Sequence, residues 1–475
     1  MSEIAIHWFR QDLRLMDNPA LAKAARAGAL LPIYILDDET AGEAMMGGAS
    51  RWWLHRALED LNRQLGGNLR CYRGAAAEIL PRLADRYGAR TVSWTRCYEP
   101  WRVLRDTKIS DALSKSGVET IRLNGSLLWE PWEVLKKDGE PYRVFTPFYR
   151  KGCLQADKPA RPMTDRPEIL PCEARSDDGA VALDALELIS PIGWHETMEP
   201  HWDISEKGAH DALSTFLEEG LEGYKSGRDF PARRNVSRLS PYLHWGQISP
   251  NQVWYALDDE AAEDAPAVDV DHFRSEIAWR EFSYNLLFHN PDLPSRSLQP
   301  KFEGFEWSDD VAALERWQRG MTGVPIIDAG MRELWQTGYM HNRVRMIVAS
   351  FLVKNLRTDW RKGEEWFWDT LVDADLANNS ASWQWVAGCG ADAAPYFRIF
   401  NPVLQAEKFD PDGDYIRRYV PELAKLPGKY LAKPWEAPRA VLEEAGVALG
   451  KDYPLPVVDL KLSRIAALDA YQALS

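Results

Sequence analysis

The chain has 475 residues and a formal net charge of −14 at pH 7, with 45% hydrophobic and 27% charged residues. No apolar stretch approaches the ~20 residues that cross a bilayer, so the composition excludes a membrane-spanning protein and indicates a soluble globular one with two or three domains. The N-terminal run MSEIAIHWFRQDLRL lacks the charged start and apolar core of a secretion signal, and we expect a cytoplasmic protein.

The first part of the chain alternates two patterns. Short apolar runs predict strands at 4–9, 30–36, 69–73, 91–95 and 119–123. Amphipathic stretches predict helices at 18–27, 50–65, 75–87 and 101–116, with Asp17 or Asn18 as the first N-cap. Strands that alternate with helices predict a doubly wound, five-stranded, mostly parallel α/β sheet in a domain spanning 1–130. No GxGxxG follows the first strand, so the pattern does not indicate a Rossmann dinucleotide site.

A segment rich in proline, aspartate and glutamate follows over residues 131–203, and its composition is typical of a long surface connector. From residue 204 to 475 helical periodicity dominates and predicts an all-α second domain. The predicted helices lie at 205–219, 249–256, 269–289, 312–318, 325–337, 341–355 and 364–371. No repeat or coiled-coil heptad indicates self-association, and we expect a monomer.

Cysteine and histidine usage argues against disulfides and metals. The five cysteines are scattered and lack a CxxC pair, as is usual in a reducing compartment. His195, His201 and His210 lie near two glutamates but not at ligand spacing, so we interpret this segment as a polar loop and expect no metal site. The negative net charge predicts weak nonspecific affinity for nucleic acid, yet a local basic stripe would suffice to bind DNA.

The most informative run is DADLANNSASWQWVAGCGADAAPYFRIFNP, residues 373–402. In it, two carboxylates and a pair of asparagines lie close to Trp383 and Trp385. Polar groups are costly to bury without partners, so this mixture favours a pocket that hydrogen-bonds a large flat ligand. The alternative is a capped helix with core aromatics, which is the simpler interpretation of any one of these residues alone.

The run closely resembles the flavin-binding signature of the photolyase and cryptochrome family. The resemblance covers the whole chain, from WFRQDLRLMDNPAL at 8–21 to FRIFNP at 397–402. It implies an α/β antenna-binding domain followed by a helical catalytic domain that binds FAD and DNA. It also implies a lyase that repairs cyclobutane pyrimidine dimers, in which excited, fully reduced FAD donates an electron to the flipped-out dimer, the ring splits, and the electron returns.

YKSGRDFPARRNVSRLSPYLHWG, residues 224–246, resembles the family's first cofactor segment. Hydroxyls, an arginine and backbone N–H groups at a helix start suit a diphosphate and a ribose, although a capped helix with solvated basic residues is the alternative. Val236 stands where many relatives have threonine, and it offers no side-chain hydroxyl to the phosphate. The resemblance implies an FAD site formed by Tyr224, Val236, Ser237, Arg238, Leu239, Ser240, Phe273, Arg280, Asn342, Arg345, Asp373, Asp375 and Asn379, with Arg345 paired to Asp373.

EIAWREF, residues 276–282, places Glu276, Trp279 and Arg280 within about one helical turn. From the residues alone, an intrahelical ion pair between Glu276 and Arg280 is the alternative to a site. By resemblance, Glu276 hydrogen-bonds a thymine of the lesion and stabilises its anion, while Trp279 stacks against it. The implied catalytic set is Glu276, Trp279, Asn342, Met346 and Trp385.

Three positions distinguish functions within the family. Enzymes acting on (6-4) photoproducts characteristically carry two histidines where this chain has His341 and Asn342, so a cyclobutane dimer is the favoured substrate. Asn379 matches the residue facing flavin N5, where an amide favours fully reduced flavin and plant cryptochromes have aspartate. Trp385 matches the tryptophan that cradles the dimer, where plant cryptochromes usually have tyrosine. These residues favour a repair enzyme over a cryptochrome-type blue-light receptor, and an acidic protein with an unrelated ligand is the third possibility.

Several further roles are implied by the resemblance. Trp383, Trp360 and Trp307 match the family's chain that carries an electron from the surface to oxidised flavin, although any one of them alone is more often a core residue. DNA contacts are implied for Arg228, Glu276, Trp279, Arg343, Trp385 and Arg398, and Lys225, Arg233 and Arg234 either extend this basic rim or are solvated surface charge. Details at His244, Trp245, Val386 and Ala387 are similar to the photolyase class closest to plant cryptochromes.

An antenna chromophore is also implied. In folate-binding relatives the loop near YEP, residues 98–100, carries Asn and Glu ligands, but Trp101 and Arg102 follow it here. Trp52, Trp53 and Trp101 are the candidates for stacking on a pterin instead. We expect methenyltetrahydrofolate as the antenna, with a deazaflavin as the alternative.

Overall fold

The computed structural model describes residues 3–173, 177, 179–258, 265–393 and 397–474. In these residues the strands β1 (Ile4–Phe9), β2 (Ala29–Leu36), β3 (Arg70–Arg73), β4 (Ala89–Thr95) and β5 (Glu119–Leu123) form one five-stranded sheet. All neighbouring strands are parallel, in the order β3-β2-β1-β4-β5. Every residue of β2 is buried, as expected when helices cover both faces of a parallel sheet. The predicted α/β class is confirmed, and the strand order reverses between β1 and β4.

Four helices cover this sheet: α1 (Pro19–Ala27), α2 (Gly48–Gln64), α3 (Ala76–Tyr87) and α4 (Pro100–Lys115). Of the two predicted caps, Asn18 is the N-cap, and its side chain accepts a hydrogen bond of 3.0 Å from the backbone N–H of Leu21. Asp17 instead accepts a 2.5 Å hydrogen bond from the hydroxyl of Ser249. The loop after β1 is therefore attached to the helical part of the chain.

The described part of the connector over residues 131–203 is mainly irregular and contains short helical turns, at Phe145–Pro147, Phe148–Gly152, Cys153–Gln155, Leu183–Leu186, Trp194–Thr197 and Glu199–His201. Backbone hydrogen bonds attach it to the sheet, from Leu30 N–H to the carbonyl of Leu170 at 2.8 Å and from Val181 N–H to the carbonyl of Cys71 at 2.9 Å. His195, predicted to lie in a polar loop, is buried with its ring parallel to Trp52. The connector is thus a packed segment, and the predicted boundaries at 130 and 203 stay predictions.

The second part is helical, with one helix, α13, near its centre. Its helices are α5 (Glu206–Glu219), α6 (Ser240–Trp245), α7 (Pro250–Ala256), α8 (Ala267–His289), α9 (Val311–Gln318), α10 (Pro325–Thr337), α11 (Asn342–Ser350), α12 (Trp360–Thr370), α13 (Leu376–Ala387), α14 (Pro402–Phe409), α15 (Asp414–Tyr419), α16 (Arg439–Ala445) and α17 (Leu460–Gln472). α13 packs against α8, α11 and α12. In the part of the chain that the structure describes, every helix is too short or too polar to traverse a lipid bilayer.

The helical part differs from the prediction in several places. The helices α6, α14, α15, α16 and α17 were not among the predicted ones. The predicted helix 341–355 ends as an α-helix at Ser350 and continues as a π-helical turn, Phe351–Asn355. α13 itself was not predicted, because asparagines, serines and glutamine interrupt its apolar spacing. Its N-cap is Asp375, whose side chain accepts from the N–H of Asn378.

Candidate active site

A cavity of about 540 Å³ lies among α6, α8, α11 and α13. This volume falls within the ~300–1,000 Å³ typical of small-molecule sites. The helices and the turns before them bring together residues that are far apart in the sequence. The predicted site residues in its walls are Tyr224, Arg228, Ser237, Leu239, Ser240, Phe273, Glu276, Trp279, Arg280, Asn342, Arg343, Arg345, Met346, Asp373, Asp375, Asn379, Trp383 and Trp385.

Asp375 is bonded from several sides. One carboxylate oxygen accepts from the backbone N–H and the side-chain amide of Asn378, both at 2.8 Å. The other accepts from the hydroxyl of Tyr284 and lies 3.4 Å from Nδ1 of His244. Burial alone would raise the pKa of Asp375, but its hydrogen bond to His244 and the charges of His244 and Arg280 lower that pKa to about 2. At neutral pH the cavity wall therefore carries a fixed anion.

Asp373 and Arg345 form the expected salt bridge. Nη2 of Arg345 donates to both oxygens of Asp373, at 3.1 and 2.9 Å, and Ser240 donates its hydroxyl to the same carboxylate at 2.5 Å. Nε of Arg345 donates to the carbonyl of Met340 at 2.7 Å. These bonds fix the guanidinium in the cavity wall, where it can neutralise an anionic ligand group.

Asn379 lies one residue beyond Asn378, and its amide donates to the carbonyl of Glu364 at 3.0 Å. The carboxyl group of Glu364 is 8% exposed and accepts a hydrogen bond from Ser380. Burial raises the pKa of Glu364 to about 8, although the bond from Ser380 opposes the shift. Glu364 is thus protonated at neutral pH, and the region behind Asn379 carries no charge from it.

Glu276 pairs with Arg228 on a different segment. Nη2 of Arg228 donates to Glu276 at 2.8 Å, and Nη1 contacts the other carboxylate oxygen. Nη1 also lies 3.2 Å from Nε2 of His272. The alternative of an intrahelical pair between Glu276 and Arg280 is wrong, because Arg280 donates to the carbonyl of Ser126 at 2.6 Å instead.

Two tryptophans present flat surfaces to the cavity. Trp279 stacks on Phe145 with a centroid distance of 3.8 Å and an interplanar angle of 10°, so the connector supports one face of its ring. Trp385 donates its indole N–H to the carbonyl of Asp392 at 3.1 Å. Both rings are held in place and line the cavity together with the thioether of Met346. Such a wall is suited to planar, apolar ligand groups.

Comparison with known proteins identifies the family. The family profile described as the FAD binding domain of DNA photolyase matches residues 273–473, and the profile described as DNA photolyase matches residues 5–168. A deoxyribodipyrimidine photo-lyase of Agrobacterium fabrum is 49% identical over 98% of this chain and 97% of its own length. The chain belongs to the DNA photolyase family. The resemblance seen in the sequence motifs is therefore confirmed.

Two other comparisons place the chain within this family. Cryptochrome-1 of Arabidopsis thaliana is 36% identical, over 96% of this chain and 68% of its own length. The crystal structure of a bacterial class III photolyase from Agrobacterium tumefaciens has 48% identity and a TM-score of 0.95, covering 100% of this chain and 98% of that one. The two-part fold is thus that of a photolyase.

The photolyase cofactor FAD fits the groups in the cavity wall. Asp375, Asn378 and Asn379 have the i, i+3 and i+4 spacing of one helix face, and all three line the cavity. They offer acceptors and amide donors that match the N–H and C=O groups on the edge of a flavin ring. Arg345 and Ser240 offer a cation and a hydroxyl for its polar chain. When bound, FAD supplies the light absorption and the electron for the reaction.

Two predicted cofactor residues of the photolyase motif, Val236 and Arg238, lie outside this wall. The guanidinium of Arg238 stacks 4.2 Å from the ring centroid of Trp202 and 5.0 Å from that of Tyr339. Its backbone takes the left-handed region, with φ of 53°. Val236 is half-buried in the preceding turn. The contacts of both residues with the diphosphate stay predictions.

Of the three tryptophans assigned to the photolyase electron chain, Trp383 lies in the cavity wall, and Trp360 and Trp307 lie outside it. Trp383 lines the cavity, and a Cβ added to Gly363 would lie only 2.1 Å from its ring. Gly363 shares a face of α12 with Trp360, three residues earlier. The N–H of Ser308 donates to the carbonyl of Arg357 at 2.7 Å, which places the segment of half-buried Trp307 beside the turn before α12. Their role in electron transfer stays a prediction.

The basic residues assigned to DNA divide into two groups. Arg228 and Arg343 line the cavity, and each is paired with a carboxylate, Arg228 with Glu276 and Arg343 with Asp229 at 2.7 Å. The exposed group consists of Lys225, Arg233, Arg234 and Arg398. Within it, Arg234 pairs with Glu219 at 3.0 Å.

The crevice at the carboxyl ends of β1 and β4 is small. Its two parts have volumes of about 40 and 10 Å³. The guanidinium groups of Arg102 and Arg105 lie 5.0 and 4.9 Å from the ring centroid of Trp101. Trp52 and Trp53 are 1% and 0% exposed in the core. The hypothesis that Trp52 and Trp53 stack on a pterin is wrong, because both rings are buried in the core, and stacking on Trp101 stays a prediction.

The sequence motifs missed several residues that position this photolyase site. Tyr284 donates its hydroxyl to Asp375. Its position could have been predicted, because Glu276, Arg280 and Tyr284 follow one another at four-residue spacing and so share one face of α8. His244, Glu364 and Asp229 gave no such signal. Each acts on a group in another element, so only the fold brings the partners together.

Proposed function

We propose that this protein is a light-dependent deoxyribodipyrimidine photolyase that repairs cyclobutane pyrimidine dimers in DNA. One observation carries this proposal. The residues assigned to the lesion (Glu276, Trp279, Asn342, Met346 and Trp385) line the same cavity as those assigned to the flavin (Asp373, Asp375 and Asn379). A dimer flipped into the cavity would therefore lie beside the flavin, and a damaged, poorly stacked base pair lowers the free-energy cost of flipping.

The lesion residues have distinct tasks in this proposal. Trp279, supported from behind by Phe145, offers its remaining face to the dimer. The carboxylate of Glu276, oriented by Arg228, accepts a hydrogen bond from the ring N–H of a pyrimidine and holds the dimer in place, while the guanidinium of Arg228 offsets the negative charge that electron transfer brings. Arg228 compensates the charge of Glu276, so the cavity tolerates an anionic substrate beside a carboxylate.

The surroundings of Asn379 favour repair over signalling. Its amide and the protonated Glu364 behind it add no negative charge on that side of the cavity, which suits a fully reduced, anionic flavin. Arg345 adds a nearby cation whose charge is shared with Asp373. A cryptochrome-type receptor is the rival function, and the decisive experiment separates the two.

That experiment is anaerobic illumination of the reduced protein with an oligonucleotide that contains a thymine dimer. Repair restores the absorbance of the thymine band, and an undamaged oligonucleotide and a dark sample serve as controls. Absence of recovery would favour the receptor. In Glu276→Ala we expect the quantum yield of repair to fall ~10-fold, since a hydrogen bond to a charged group contributes about 1.5–3 kcal/mol, while Glu276→Gln keeps part of the yield because its amide oxygen still accepts a hydrogen bond. An undiminished yield in both variants would remove Glu276 from the mechanism.

We further propose an antenna chromophore, methenyltetrahydrofolate, with a deazaflavin as the alternative. At about 40 Å³ the crevice is smaller than either chromophore, so its volume favours neither, and the proposal rests on the match of residues 5–168 to the profile described as DNA photolyase. Mass spectrometry of the chromophore released by denaturation tests this assignment. A deazaflavin mass would overturn it.

The proposal extends to the state of the protein. We expect a cytoplasmic monomer with units at 1–130, 131–203 and 204–475 and the class III type of the Agrobacterium tumefaciens structure. Four of its cysteines are buried thiols, which suits a reducing compartment. Light scattering during gel filtration measures the mass, and limited proteolysis locates the boundaries. A mass of twice 54.1 kDa would contradict the monomer.

A further inference from the structure

We infer that Asp229 is a specificity-determining residue, whose carboxylate holds Arg343 inside the cavity mouth and withholds it from the phosphates of undamaged DNA. This inference rests on the proposed repair function, because it concerns how the site selects a dimer over ordinary duplex.

The pair of Asp229 and Arg343 is held by its surroundings. Nη2 of Arg343 lies 2.7 Å from Oδ2 of Asp229. The side chain of Arg343 is 19% exposed, and that of Asp229 is 33% exposed. The guanidinium also lies 4.6 Å from the ring centroid of Phe409, and Nη1 is 3.8 Å from the sulfur of Met346. Arg343 is therefore fixed by three partners, and the carboxylate is the more exposed member of the pair.

The neighbouring cation is restrained in the same way. Arg228 precedes Asp229 in the chain and is paired with Glu276, with only 13% of its side chain exposed. Both of the cavity-wall arginines assigned to DNA are thus neutralised before DNA arrives. Partly exposed ion pairs contribute little to folding stability. The main effect of these two pairs is therefore on the phosphates that the arginines can bind.

Undamaged and damaged DNA meet this mouth differently. An unbent duplex encounters the repulsive charge of Asp229, the more exposed member of the pair, while the guanidinium of Arg343 is held by its three partners. A flipped nucleotide carries its phosphate towards the mouth, where Arg343 is already oriented. Without the charge of Asp229, Arg343 can rotate outwards and reach a phosphate of ordinary DNA. The affinity for dimer-containing DNA rises less, because Arg343 loses its fixed orientation towards the flipped nucleotide at the same time.

The experiment compares Asp229→Asn with the wild type. Dissociation constants are measured for a dimer-containing duplex and for the undamaged duplex of the same sequence, at several salt concentrations. We expect affinity for undamaged DNA to rise about 3- to 10-fold, with a salt slope steeper by ~0.9 for one added phosphate contact. Affinity for the dimer should change less than about 2-fold, so the ratio of the two affinities falls.

A matched control separates local from global charge effects. Glu422 pairs with Arg332 at 2.8 Å, with side chains 24% and 20% exposed, and neither residue lines the cavity. Glu422→Gln changes the net charge by the same amount as Asp229→Asn and should leave both affinities unchanged. An equal rise for both DNAs in Asp229→Asn, or the same rise in Glu422→Gln, would overturn the inference.

A second variant tests the route through Arg343. In Asp229→Asn combined with Arg343→Met, the gain for undamaged DNA should disappear, and persistence of the gain would also overturn the inference. Melting temperature and flavin absorbance show whether each variant folds. Failure of the repair function itself would be seen separately, as a wild type that neither prefers nor repairs dimer-containing DNA.

Discussion

The cavity among the helices and the crevice at the edge of the sheet are both lined by charged and aromatic side chains, but they differ about tenfold in volume, at about 540 and 40 Å³. In the crevice, Arg10 donates to Asp106 at 2.6 Å and Arg105 lies 3.3 Å from Asp37. Guanidinium groups also cover the rings of Trp8 and Trp101. These groups therefore bind one another and fill the space between them.

In the cavity, the charged groups are bonded from behind. Asp375 receives its bonds from α6, α8 and α13, and Asp373 receives its bonds from Ser240 and Arg345. The cavity in front of them remains open. Strand order predicts where an α/β fold can bind a ligand, but the direction from which each polar group is satisfied decides whether space for the ligand remains.

The largest expected effect comes from removing the best-connected group of the cavity. Asp375→Ala loses the cap of α13 and leaves the buried hydroxyl of Tyr284 without its acceptor, so the free energy of unfolding should fall by about 2–4 kcal/mol. Flavin absorbance after gel filtration should also be lost. Asn18→Ala removes a cap on the sheet side and should cost ~1 kcal/mol while keeping the flavin. Retention of flavin by Asp375→Ala would contradict the assignment of the site.

A smaller effect is expected at the contact between Gly363 and Trp383. In Gly363→Ala the new Cβ would lie 2.1 Å from the ring, so the ring must move, at a cost of about 1–3 kcal/mol in unfolding free energy. Light-driven reduction of oxidised flavin should slow as well, which a spectrophotometric time course measures. Gly428→Ala, where the new Cβ meets no atom within 4 Å, is the control for stability. Normal photoreduction in Gly363→Ala would argue against a path through Trp383.

The protonated acid behind Asn379 predicts a pH dependence. Because burial raises the pKa of Glu364 from 4.5 to about 8, the folded protein holds a proton that the unfolded chain releases. The stability contributed by this proton is complete below about pH 4.5 and is lost as the pH rises towards 8. Between about pH 6 and 8, Glu364→Gln should therefore gain about 2 kcal/mol relative to the wild type. Urea unfolding at several pH values measures this difference, and a difference independent of pH would refute the protonated state.

The smallest effect is expected in the filled crevice. Trp101→Ala removes contacts with two guanidinium groups and should lower the free energy of unfolding by about 0.5–1 kcal/mol. Flavin and antenna contents, measured by absorbance of the purified protein, should stay unchanged. Loss of the antenna chromophore in this variant would show that the crevice binds it after all, and the contrast with the cavity would disappear.

Local patterns predicted much of the fold. β1 and β5 have their predicted bounds, and Asn18 is the predicted cap of α1. α13 escaped prediction because its polar residues bond groups outside it instead of leaving an apolar stripe. Asn379 and Ser380 bond Glu364, and Gln384 donates to the carbonyls of Leu293 and Arg296. For the site, helix spacing indicated the face of α8 that carries Glu276. It could not indicate that Arg228, 48 residues earlier, rather than Arg280 would be its partner.

The stack of Trp279 on Phe145 concerns protein engineering as much as catalysis. Phe145 belongs to the connector, and Arg280, the residue after Trp279, is anchored at the carbonyl of Ser126. A chimera that takes residues 1–145 from a relative would therefore also change the support of a ring in the cavity. The point of fusion that preserves these contacts lies at the end of the sheet, between Leu123 and Ser126, because Ser126 and Phe145 then come from the same chain as Arg280 and Trp279.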